Sequence, residues 1–148
     1  MRTSLTFLVF LALAGAAAPA VMAAPEHSSA SATIAVRSSA FGRILFDGKG
    51  RPLYAFTRDT KGRSLCAGAC AAAWPPFLVR SRPKPGADVI GRLIGTIRRA
   101  DGKLQVTYGG RPLYYYVGDR QPGQVLCHNV EEYGGLWLVV RPSGRLVR

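Results

Sequence analysis

Four side chains in this sequence could bind a soft metal ion or exchange electrons: Cys66, Cys70, Cys127 and His128. Thiolates with an imidazole suit Cu(I) or Zn(II). The spacing argues for something plainer. Cys66 and Cys70 stand four apart, so on a helix they share one face, with Cα atoms about 6 Å apart at ~1.5 Å rise per residue. That separation lies within disulfide range. Three pairings are open, and Cys66–Cys70 is favoured over Cys66–Cys127 and Cys70–Cys127. The expectation is one structural disulfide and one leftover thiol, with no metal and no cofactor. A metal-handling (copper or zinc) or thiol-redox role for Cys66, Cys70, Cys127 and His128 is the alternative. Against it, adjacent Cys127 and His128 reach one ion only with backbone strain, and the Cys-x-x-Cys of thiol oxidoreductases is absent.

Asp59 and Asp119 invite an acid/base reading, because paired carboxylates about 5–9.5 Å apart hydrolyse glycosides. Each, however, follows a strand and precedes a turn sequence, where Asp commonly bonds a backbone N–H two residues on. Tyr54, Tyr114 and Tyr116 are likewise expected in the core, with hydroxyls tied to backbone or to the repeat's Asp. The competing reading is an exposed tyrosine row that stacks sugar or peptide. No nucleophile elbow, phosphate loop or His-Glu-x-x-His pattern is present. The protein is expected not to be an enzyme, with no catalytic residues.

The elements that carry these side chains are duplicated. Gly50-Arg51-Pro52-Leu53-Tyr54 and Asp59 recur as Gly110-Arg111-Pro112-Leu113-Tyr114 and Asp119, and Leu65-Cys66 and Trp74 recur as Leu126-Cys127 and Trp137. The spacing predicts two units, about 39–94 and 95–148. Each reads as antiparallel strands. Arg43 to Phe46 turns at Asp47-Gly48-Lys49-Gly50 into Pro52 to Phe56, with Tyr54 and Phe56 on one face. Leu104 to Tyr108 turns at Gly109-Gly110 into Leu113 to Val117. Gly134 to Val140 makes a further turn and strand, and Cys66 to Trp74 a short helix stopped by Pro75-Pro76. The fold class is all-β: two pseudo-symmetric antiparallel repeats in one barrel- or sandwich-like domain.

These residues resemble a bacterial family of secreted repeats and predicted lipoproteins with a Tyr-x-(Phe/Trp/Tyr)-x-x-Asp motif. The motif reads Tyr54-Ala55-Phe56-Thr57-Arg58-Asp59 and again Tyr114-Tyr115-Tyr116-Val117-Gly118-Asp119, with Cys66-Ala67-Gly68-Ala69-Cys70 and Trp74-Pro75-Pro76 between. The resemblance implies tandem repeats and an envelope location. It implies no activity, since the family's function is not established.

The amino end reads as an export signal over 1–23. Arg2 precedes the apolar run Leu5 to Ala18, which is shorter than the ~20 residues of a spanning helix. No lipid-attachment cysteine follows Leu13-Ala14-Gly15. The expectation is a soluble, exported protein of the periplasm or cell exterior, not lipid-anchored and without a transmembrane segment in the mature chain. Residues 24–38 read as a flexible tether before a domain at 39–148.

The chain is 148 residues with 20 Lys and Arg against 8 Asp and Glu, a net charge of +12. That size supports one domain. Its bases are scattered, whereas a nucleic-acid face is coherent and interleaved with aromatics. The expected partner is an anionic envelope polymer, a lipid surface or an envelope protein, met through Arg and exposed aromatics, and not nucleic acid.

Overall fold

The computed structural model describes residues 32–148; the expected signal over 1–23 and most of the tether lie outside them. The first unit holds β1 (Thr33–Ser39), β2 (Gly42–Asp47), β3 (Tyr54–Phe56), α1 (Ala69–Ala73) and β4 (Leu78–Val79). β5 (Lys84–Pro85) and a single 3-10 turn at Gly91–Leu93 lead into the second unit. That unit holds β6 (Ile94–Arg98), β7 (Leu104–Tyr108), β8 (Arg111–Pro112), β9 (Val130–Glu132) and β10 (Gly135–Val139). The fold is all-β with one short helix. Its strands form three small sheets, ordered β2-β1-β5, β3-β10-β9 and β4-β7-β6 with β8 beside β7. The arrangement is sandwich-like, not a closed barrel.

Each unit opens with a hairpin. β1 pairs β2 with Ile34 opposite Asp47, and β6 pairs β7 with Ile94 opposite Tyr108. The tight turns need glycine. Gly50 and Gly110 sit at φ +86° and +79°, and a Cβ there would press on Arg37 and Lys61.

The units then exchange their last strands. β4 of the first unit pairs β7 of the second, and β10 of the second pairs β3 of the first. Backbone bonds repeat the exchange: Leu45 N–H donates to Val140 C=O, and Val106 N–H to Phe77 C=O, each at 2.9 Å. Neither unit therefore completes its own sheet.

Period-2 alternation along the central strands divides the core in two. Leu53 and Ala55 join Leu113 and Tyr115 on one side. Tyr54, Phe56 and Tyr114 join Trp74 and Trp137 on the other. Strands buried on both faces carry little polar alternation, which is why these runs read as nearly all apolar.

Three expectations need correction. The tether assigned to 24–38 ends early, because β1 begins at Thr33 and buries Ile34 fully. The alternation of Ile34 and Val36 is short and directly follows the small, polar run Ser28 to Thr33, so it does not stand out from it. The strand expected over Leu113 to Val117 is reduced to isolated bridges from Tyr114 to Tyr54 and Pro76, β8 ending before it at Pro112. Its neighbours Pro75 and Pro76 offer no N–H to continue a ladder. The helix expected from Cys66 is only Ala69–Ala73, entered through Gly68 at φ +56°.

Candidate functional site

The motif residues meet at the pseudo-twofold axis between the repeats. Tyr54 and Tyr114 exchange both backbone hydrogen bonds at 2.9 Å. Their side chains then cross over. The Tyr54 hydroxyl donates to Asp119 Oδ2 at 2.6 Å, and the Tyr114 hydroxyl donates to Asp59 Oδ2 at 2.6 Å. Each Asp keeps its second oxygen for its own loop: Asp59 Oδ1 accepts from Leu65 N–H and Asp119 Oδ1 from Leu126 N–H. The carboxylates thus tie the loop of one repeat to the strand of the other, and the backbone N–H each Asp holds is six or seven residues on rather than the expected two.

Tryptophans fill the axis. Trp74 and Trp137 stack with ring centroids 4.0 Å apart and planes 3° apart. Tyr54 meets Trp74 edge-on at 5.2 Å, and Tyr114 meets Trp137 in the same way. Phe56 stacks on Trp137 at 4.3 Å, and Tyr116 leans on Trp74 at 4.8 Å. Both indole N–H groups end on one residue: Trp74 donates to Glu132 Oε2 at 2.7 Å and Trp137 to the Glu132 carbonyl at 3.3 Å. Tyr54, Tyr114 and both tryptophans are fully buried. An exposed tyrosine row is therefore excluded for Tyr54 and Tyr114; Tyr116 is half-buried.

The sulfur candidates separate. Cys66 and Cys70 are disulfide-bonded with Cα atoms 5.3 Å apart, and Cys127 is free and half-buried. Cys127 occupies the repeat position of Cys66, but the second repeat has Glu131 where a partner would stand. His128 turns elsewhere, accepting the Val139 N–H on Nδ1 at 3.3 Å and packing its ring 4.4 Å from Phe41. The alternative set of Cys66, Cys70, Cys127 and His128 is not assembled. Two of its thiols are consumed by each other, and among the described residues no three His, Cys, Asp or Glu side chains converge as ligands.

Burial sets the titration of this centre. It pushes the carboxyls of Asp59 and Asp119 above the usual carboxylate range, although their tyrosine and amide donors pull the other way. It pushes His128 below 6.5. The signs oppose. A raised folded carboxyl favours the protonated native state, so its stability contribution is complete below the ordinary Asp value and falls as pH climbs through the raised one. A depressed folded His gives stability that is complete above 6.5 and lost as pH falls through its folded value. Urea unfolding measured from about pH 4 to 7 is therefore expected to flatten on the alkaline side in an Asp59→Asn, Asp119→Asn protein. On the acid side, His128→Gln is expected to remove the loss. Unchanged profiles in both variants would refute this assignment.

Sequence reasoning missed three residues. Glu132 caps the tryptophans, and nothing in its local pattern announces that. Arg99 is buried to 8% side-chain exposure and donates to Ser64 Oγ, Gln105 Oε1 and the Cys66 carbonyl. Ser64 Oγ in turn lies 2.7 Å from the Tyr114 hydroxyl, so Arg99 braces one of the two crossings. Asp47, expected only as a turn residue, accepts from Lys49 N–H, Arg51 N–H, Arg51 Nε and the Tyr115 hydroxyl.

A charge asymmetry follows. Asp47, Asp59, Asp119 and Glu132 are turned inward on these bonds, leaving Asp88, Asp101 and Glu131 as the exposed acids among the described residues. Every described Lys and Arg except Arg99 is exposed. No helix among the described residues is long and apolar enough to cross a membrane.

A family model described as a secreted repeat of unknown function matches residues 35–77 and 95–141, one copy on each unit. Comparison with curated proteins and with solved structures returns no match. The two matched stretches cover more than half of the chain, which belongs to this secreted repeat family.

Proposed function

We propose that this exported member of the secreted repeat family is a non-enzymatic binding module of the cell envelope, which holds an anionic component on its cationic exterior. It works in the periplasm or outside the cell, as a soluble protein without a lipid anchor. One observation carries the reading: four of the seven described acids turn inward, while every described Lys and Arg except Arg99 is exposed. The groups that could have done acid/base chemistry, Asp59 and Asp119, are engaged in holding the repeats together. The exposed Arg side chains favour bidentate contact with carboxylate and phosphate, and a net field of one sign raises encounter rates with polyanions.

Co-sedimentation with phosphatidylglycerol vesicles tests this. Binding is expected at low ionic strength, absent on phosphatidylcholine, and weakened as salt shortens the screening length to about 10 Å at 0.1 M. Absence of binding, or binding indifferent to salt and lipid charge, would overturn the reading.

A further inference from the structure

A cleft of about 540 Å³ opens between the β2 turn and the Trp-Pro-Pro segment, lined among others by Asp47, Lys49, Arg51, Tyr115, Pro76 and Leu78. Its size falls in the range of small-molecule sites, about 300–1,000 Å³. One wall is polar. The Arg51 guanidinium lies over the Tyr115 ring at 3.7 Å from the centroid, and its Nε donates to Asp47 Oδ2 at 3.1 Å. Stack and ion pair together fix the guanidinium plane. Its outer nitrogens have no hydrogen-bond partner among the described residues, and neither has the Lys49 ammonium. Asp47 is saturated by its four donors, so its charge is already answered within the protein. The opposite wall is apolar: Pro75, Pro76, Phe77 and Leu78, the last 39% exposed.

Duplication supplies a control. The scaffold around the axis is the same in both repeats and Arg51 recurs as Arg111, yet the groups that surround Arg51 in the cleft stand at positions where the repeats differ. Tyr108 stands where Asp47 does, Ala55 where Tyr115 does, and Leu138-Val139 and Arg141 where Pro75-Pro76 and Leu78 do. The equivalent place across the axis, with Tyr108, Ala55 and Leu138-Val139 at these positions, folds without them, so the scaffold alone does not require them.

We infer that this cleft binds the carboxylate of a small amphipathic molecule, with the anion on the free edge of Arg51 beside Lys49 and the apolar body against Pro75, Pro76 and Leu78. The inference rests on the envelope-binding reading and deepens it by naming a site and a ligand class. A preorganised guanidinium fork matches the two oxygens of a carboxylate, and a body laid on the apolar wall loses its water.

Calorimetric titration distinguishes the two sources of such a group. Decanoate represents a lipid-derived acid, and acetyl-Ala-Phe with a free carboxyl represents a peptide end; each is compared with its amide. Saturable binding of one stoichiometric equivalent is expected for at least one acid. It should weaken at least about tenfold for the amide, for Arg51→Gln and for Leu78→Asp, while both variants keep the parent melting temperature within a few degrees. Vesicle binding should persist in Arg51→Gln, because the remaining exposed cations are untouched. Equal affinity for acid and amide, or unchanged affinity in both variants, would overturn the cleft assignment. So would no saturable binding while vesicles are still bound. Loss of vesicle binding by the parent protein as well would bring down the envelope reading itself.

Discussion

Trp137→Ala is expected to lower the unfolding free energy by about 3–5 kcal/mol, the largest effect of any single substitution considered. Trp137 is fully buried and touches both repeats: it stacks on Trp74 and Phe56 and meets Tyr114 edge-on. Truncation forfeits the transfer free energy of the indole and opens a cavity that β10 cannot close, since β10 is pinned to β3 on one side and β9 on the other. The aromatic contacts add about 0.5–1.5 kcal/mol each beyond area burial. Trp137→Phe should recover much of the loss. Equilibrium urea unfolding monitored by far-UV circular dichroism measures this, and a loss below about 1 kcal/mol would show that the axis carries little of the stability.

Asp119→Ala is expected to cost about 3 kcal/mol, because it strands the buried Tyr54 hydroxyl and the Leu126 N–H together. Adding Tyr54→Phe should cost much less than it does in the parent protein. Removing both partners of a buried bond is milder than removing one. A double-mutant cycle should therefore return a coupling energy of about 1–3 kcal/mol. The mirrored pair Tyr114 and Asp59 should couple more weakly, since the Tyr114 hydroxyl also has Ser64 Oγ within 2.7 Å, itself held by Arg99. Strict additivity in both cycles would mean that the crossings are geometric coincidences. Equal coupling in both would mean that the Ser64 and Arg99 contacts contribute nothing.

Both results bear on function, since both concern residues that recur between the two units. If Tyr54, Asp119 and their counterparts act through stability, variants here should lose vesicle binding only in proportion to the unfolded fraction. The motif would then describe how two repeats are joined, and specificity would lie in the positions where the repeats diverge, such as Asp47, Tyr115 and Pro75-Pro76.

Much of this was legible in the chain. Duplication of Gly-Arg-Pro-Leu-Tyr with its downstream Asp, Cys and Trp announced two equivalent units. Alternation placed Tyr54 and Phe56 on one face, and both lie in the same core cluster. The four-residue spacing favoured Cys66–Cys70, which is the pair that is joined. These are local matters, decided by turn chemistry, side-chain period and reach along one stretch of backbone. The exchange of β4 and β10 was not legible, because a strand's pattern records that it is buried and not which partner buries it. For the same reason the Tyr54 hydroxyl was expected on backbone or on its own repeat's Asp, whereas it bonds the Asp of the other repeat. Glu132 and Arg99 gave no sign, since a buried charge is tolerated only where long-range contacts supply its partners. The sequence alone determined the duplication and most of the elements, and it favoured the Cys66–Cys70 pair. Only tertiary structure decided which repeat completes which and how four of the acids came to face inward, which adds to the positive excess that composition already gives the exterior.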